Sequence, residues 1–214
     1  HMKRVWELYF TNSVAHKRDQ TCSPACPCGM SEETARHVCY TCTLQHLVYT
    51  RYMFEVHLGD LLDKFLARDA QLKWREFWRQ IFLVKRDGAV NLWSSQQGLD
   101  GNWVYPAWFT AWSSRKDVEE CDVQAAEPQI RLGALKLWKG LWAMELSSLL
   151  ARMENVGADP SSFLRELQAL LLESHRVIWR ARCAKDCSRG ATANDPRHKQ
   201  LLHDSYHLRT QLTS

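Results

Sequence analysis

Five cysteines and a histidine crowd into twenty-one residues near the start of this chain: Cys22, Cys26, Cys28, His37, Cys39 and Cys42. No other feature narrows the possible folds as sharply. The whole chain has eight cysteines in 214 residues, and a disulfide scaffold would spread them through a short secreted domain. Clustered around a histidine, they read instead as a metal site in a reducing compartment. An intracellular location, nucleus or cytoplasm, is therefore expected. A bridge from Cys26 to Cys28 would be strained across one intervening residue.

Cys26, Cys28, His37 and Cys42 follow the spacing C-x-C-x8-H-x4-C. Zinc takes four nitrogen or sulfur ligands in a tetrahedron, and a Cys3His set closes its shell with no position left for water or substrate. Such a centre is structural and contributes folding energy. Gly29 lets the chain turn just after the second thiolate, freeing backbone N–H groups toward sulfur. Cys22 could stand in for Cys26 or Cys28, and Cys39 for Cys42. No P-loop, GxSxG, HExxH or dinucleotide fingerprint occurs, so enzymatic activity is not expected.

The rest of the sequence predicts a mostly α fold, a helical bundle carrying a small N-terminal zinc knuckle and an aromatic-rich ordered loop. Residues 3–43 form the lead-in and knuckle, 44–190 the helical body and 191–214 a basic tail helix. Leu47, Tyr49, Met53, Val56, Leu58, Leu61, Leu62, Phe65 and Leu66 keep helical spacing, with Gly59 as a point of interruption. A second run, roughly 70–84, sets Trp74, Phe77, Trp78, Ile81 and Phe82 on one face. Residues 87–115 hold Trp93, Trp103, Trp108 and Trp112 between glycines and Pro106, too aromatic for a disordered linker. An exposed acidic segment is expected at Glu119–Glu127. A helix from Pro128 to about Asn155, stopped by Gly157, should then pair antiparallel with one starting at Asp159-Pro160. A short helix over 196–211 closes the prediction. No run of 18 apolar residues occurs, so no membrane span is expected.

The net charge of +4 is unevenly distributed. Residues 174–214 hold eight Lys/Arg against three Asp/Glu, while residues 1–173 hold twenty against twenty-one. A basic end suits a polyanion, and Arg176, Arg180, Arg182, Lys185, Arg189, Arg197 and Lys199 are the candidate phosphate contacts. Trp179 could stack on a base if exposed. The pairs Trp74/Trp78, Trp108/Trp112 and Trp138/Trp142 fit a core better than a stacking platform. Cys183, Cys187, His198, His203 and His207 approximate a second Cys2His2 site.

The run CPCGMSEETARHVCYTC, Cys26 to Cys42, resembles the cysteine-histidine knuckle that follows the reverse-transcriptase domain in non-LTR (LINE-type) retrotransposon polyproteins. Those read C-x-CG, then Glu-Thr, then His-x4-Cys, then a helix with an arginine, as Arg51 here. The likeness covers about 30 of the 214 residues, with an echo in HRVIWRARC at His175–Cys183. It implies that Cys26, Cys28, His37 and Cys42 are zinc ligands in a module downstream of polymerase domains, holding template RNA or target DNA. An adaptor with a structural zinc and no nucleic-acid role, using the acidic segment or the Trp-rich loop, is the competing expectation.

Overall fold

The computed structural model describes residues 11–66, 72–153 and 160–187. These are mostly helical, with one two-stranded sheet, and no helix among them is long and apolar enough to cross a membrane. The short helix over 196–211 and the stop at Gly157 lie outside the described residues.

The polar lead-in holds a helix, α1 (Asn12–Arg18), whose first turn is capped by the Thr11 hydroxyl accepting the Val14 N–H. The knuckle follows, and a single π turn (His37–Thr41) leads into the first long helix, α2 (Gln45–Phe65). The buried stripe of α2 is Leu47, Thr50, Arg51, Phe54, Leu58, Leu61 and Leu62. Two expected core residues, Tyr49 and Val56, are exposed instead, and two polar residues, Thr50 and Arg51, take places inside. Gly59 does not interrupt the helix. Its intrinsic cost of about 1 kcal/mol is outweighed by burial of Leu58, Leu61 and Leu62 around it.

Helix α3 (Leu72–Ile81) buries Trp74, Phe77, Trp78 and Ile81 as the periodicity predicts. A tight turn at residues 85–89 follows, with Gly88 at φ 77° and its N–H bonded to the Lys85 carbonyl. Val90 N–H reaches the Tyr40 carbonyl at 2.7 Å, tying this turn to the knuckle. The aromatic segment is ordered: β1 (Gln96–Gln97) pairs antiparallel with β2 (Trp103–Val104), and α4 (Ala107–Ser113) buries Phe109 and Trp112.

The segment expected to be acidic and exposed is a helix, α5 (Glu120–Leu132). Glu119 and Asp122 form its capping box, and Asp122 is wholly buried, accepting from Lys73 Nζ and from Arg152 Nε at 2.9 Å. Pro128 lies within α5 rather than at its start. The single helix expected from Pro128 to Asn155 is divided into the end of α5, α6 (Ala134–Trp138) and α7 (Leu146–Met153). Gly133 and Gly140 adopt φ 79° and 69°, which only glycine reaches without strain, and the chain turns at both. Apolar residues on three short segments had imitated one continuous stripe.

The last described helix, α8 (Pro160–Cys187), therefore has no long 128–155 partner. It runs antiparallel to α2: Phe163 meets Phe65 with ring centroids 5.6 Å apart and Glu166 meets Lys64 at 2.9 Å at one end. At the other end, His175 packs edge-on against Tyr40. Between the helices an aromatic core closes, with centroids at 4.6 Å for Phe54–Trp138, 5.1 Å for Phe77–Trp112 and 5.2 Å for Trp78–Phe163. Val38, Cys39 and Tyr40 of the knuckle belong to the same continuous core. Trp74, Trp78, Trp112 and Trp138 are buried, so these indoles serve packing.

Candidate metal centre

The knuckle is built from two short pieces of backbone. A bridge between Ala25 and Glu32 closes a loop around Cys26 and Cys28, with the Cys26 N–H on the Ser31 carbonyl at 2.9 Å. Gly29 turns the chain there at φ 76°. The second piece is the π turn, whose defining bond runs from the Cys42 N–H to the His37 carbonyl at 2.8 Å. An i→i+5 turn brings His37 and Cys42 to the same side, which is why a four-residue gap separates them.

Four ligand atoms, one each from Cys26, Cys28, His37 and Cys42, lie within 4.8 Å of one another. Cys26 Sγ is 3.6 Å from Cys42 Sγ, and Cys28 Sγ is 3.1 Å from His37 Nε2. Cys26, His37 and Cys42 are buried and Cys28 sits half-buried at the rim. Neither alternative cysteine takes part: Cys22 is exposed, and Cys39, fully buried in the core, has its thiol pushed up to about 12 by burial.

The surroundings suit a cation. The Met30 N–H donates to Cys28 Sγ at 3.5 Å, and the backbone N–H groups of Cys28 and Leu44 favour the ionised forms of Cys26 and Cys42. His37 Nδ1 lies 3.1 Å from Thr41 Oγ1, a contact that orients the ring and leaves Nε2 facing the sulfurs. Burial pushes the Cys26 and Cys42 thiols up. Burial also opposes ionisation of Cys28, but hydrogen bonds from Met30 N–H, Cys26, His37 and Cys42 outweigh it and hold that thiol at about 6. The cluster thus offers one ready thiolate and two thiols that a cation would have to deprotonate. These residues lie close enough to bind a metal ion.

Of the candidate phosphate contacts, Arg176 and Arg180 are exposed on α8, with Arg176 3.4 Å from Glu173. Arg182 is committed inside: it is ion-paired with the buried Glu33 of the knuckle, and its guanidinium lies 5.5 Å from the Trp179 ring centroid. It is therefore not open to a phosphate, and the half-buried Trp179 carries a cation on its ring. Lys185 lies in the last turn of α8, whereas Arg189, Arg197 and Lys199 are outside the described residues. So are His198, His203 and His207, so the expected second site lies outside the described residues, with Cys183 half-buried on α8.

Sequence reasoning missed two residues around the centre. Thr41 was visible in principle, as the hydroxyl four residues after a ligand histidine. Glu33 was not, because its partner Arg182 is 149 residues away. Arg51 was noted only as part of a resemblance, while the structure buries it against the Cys42 carbonyl. Compared with family models, curated proteins and solved structures, the chain matches none.

Proposed function

We propose that the chain is a non-enzymatic, zinc-clasped helical module that binds nucleic acid through its basic carboxy-terminal end. The observation that carries the metal half is the convergence of three cysteine sulfurs and one histidine nitrogen within 4.8 Å, on amide-lined backbone. Three sulfurs and one nitrogen are the donor set zinc prefers, and four protein ligands fill its shell. Zinc bound there would supply folding energy and no open coordination position. Three reduced thiols also favour a reducing, intracellular compartment.

The nucleic-acid half rests on charge. The surplus lies in residues 174–214, Arg176 and Arg180 are exposed there, and Lys185, Arg189, Arg197 and Lys199 continue the same run. The knuckle's resemblance to the region after the polymerase of LINE-type elements adds support, with RNA or target DNA as the partner and polymerase domains upstream. A second reading, a protein-interaction module, is favoured by Leu99, which stands fully exposed at the tip of the β1–β2 hairpin.

Two measurements test the proposal. Elemental analysis should find about one zinc per chain, lost in Cys28→Ser and His37→Ala but kept in Cys121→Ser. Fluorescence anisotropy with single-stranded RNA and DNA across a salt series should show steep salt dependence. Replacing Arg180, Lys185, Arg189 and Arg197 by alanine should flatten the log–log slope by up to ~3, at about 0.7 per phosphate contact. Salt-insensitive behaviour would favour the protein-interaction reading.

A further inference from the structure

Arg51 is 1% exposed, in the middle of the buried stripe of α2. An arginine stays charged in a protein, and a buried charge costs several kcal/mol unless it is hydrogen-bonded and paired. Each of its three nitrogens donates one hydrogen bond. Nε donates to the Gly88 carbonyl, Nη1 to the Val38 carbonyl at 3.3 Å, and Nη2 to the Cys42 carbonyl. Carbonyl oxygens satisfy donors but bring no net negative charge.

Among the described residues no carboxylate stands within ion-pair distance of this guanidinium. Asp87 is exposed, accepts the Ala89 N–H, and acts on Arg51 only from further away. The three acceptors instead surround the knuckle. Cys42 is a candidate ligand, Val38 lies between two ligands in the π turn, and Gly88 belongs to the turn that docks on Tyr40 through Val90.

A divalent ion held by three thiolates and a neutral imidazole carries a single net negative charge. We infer that Arg51 is the counter-charge of this centre and, through its hydrogen bond to the Cys42 carbonyl, a positioning residue for that ligand. The inference rests on the zinc reading above. It accounts for a buried cation that has no ion-paired carboxylate among the described residues. It also accounts for the continuity of knuckle and body, since one side chain holds the π turn, a ligand and the neighbouring turn together.

The test separates charge from packing. Zinc affinity is measured by chelator competition for the wild type, Arg51→Lys and Arg51→Gln. Both variants keep a donor at the tip, but only lysine keeps the charge. Glutamine should weaken zinc binding by about 10- to 100-fold, the usual range for loss of an outer partner, and lysine should recover most of it. A second arm uses Cys28→His, which makes the centre neutral. Its zinc-loaded form should melt lower because Arg51 is then uncompensated, and adding Arg51→Gln should cost little further affinity.

The inference is overturned if glutamine binds zinc as tightly as wild type, or if lysine and glutamine lose affinity equally. It is also overturned if the glutamine loss is as large beside a neutral centre as beside the native one. Should the glutamine chain fail to fold even with zinc, the melting temperature of zinc-loaded Cys28→His decides alone, and an unchanged value rejects the idea. A wild-type chain that takes up no zinc fails the zinc reading itself, a result distinct from each of these.

Discussion

Arg182 Nε donates to Glu33 Oε1 at 3.0 Å, joining the far end of α8 to the knuckle across 149 residues of sequence. The Glu33 side chain is 2% exposed, and the same carboxylate accepts the Asn12 N–H at 3.0 Å. One buried acid thus organises α1, the knuckle and α8 together.

Breaking this pair should be expensive. Arg182→Ala leaves Glu33 buried without its cation and should lower stability by about 3 kcal/mol, the scale for removing one partner of a buried pair. Arg180→Ala, two residues away and exposed, should stay within about 0.5 kcal/mol. Urea denaturation of both variants checks the contrast. In nucleic-acid titrations the order reverses: Arg180→Ala should flatten the salt slope, and Arg182→Ala should leave it unchanged if the chain is kept folded.

Metal affinity should rise with pH. The Cys26 and Cys42 thiols lie above their ordinary range and Cys28 near 6. Metal binding near neutrality must therefore expel about two protons, and more at lower pH. The logarithm of apparent affinity should climb with a slope of about 2 per pH unit between roughly pH 6.5 and 8. Chelator competition at several pH values measures it, and a flat profile would contradict the ligand set.

Asp122 ties α3, α5 and α7 through Lys73, its own helix cap and Arg152. Burial opposes its ionisation, but the hydrogen bond from Lys73, the Glu119 N–H and Arg152 outweigh it, so the carboxyl titrates below its ordinary range. A depressed folded pKa gives stability that is present above the unfolded value of about 3.9 and lost as pH falls through the folded one. Asp122→Asn should cost about 3 kcal/mol at pH 7. The gap between variant and wild type should narrow below about pH 4. Thermal melts at pH 7 and pH 3.5 test both.

Two glycines should respond in opposite directions to alanine. At Gly59, within α2, a Cβ would meet only Arg79 Nη2 at 3.9 Å, so Gly59→Ala should stabilise by about 0.5–1 kcal/mol. At Gly88, φ is 77° and a Cβ would fall 2.3 Å from a Val48 methyl. Gly88→Ala should destabilise by about 2 kcal/mol and disturb the carbonyl that Arg51 holds.

The knuckle was legible because its information is local: four candidate ligands within seventeen residues, and a gap that a single turn can close. The helical stretches around Phe54 and Trp78 were legible for the same reason, as apolar periodicity. What failed was continuity. Leu132 to Leu150 kept helical spacing across Gly133 and Gly140, and nothing local showed that both glycines would take positive φ. The acidic segment misled because Asp122 looks exposed until Lys73 and Arg152, 49 and 30 residues away, are brought to it. Arg182 misled likewise. A basic residue in a basic run looks solvated unless its distant acid is known.

One contact at the α8 end carries a mechanical meaning. Arg182 Nη2 also reaches Asn12 Oδ1, at 3.4 Å, so residues 170 positions apart are fastened within the first and last described helices. The backbone between them is in effect a noose drawn shut at the knuckle. Tension applied through the two flanking segments would meet that fastening of Asn12, Glu33 and Arg182 before it reached any ring of the aromatic interior.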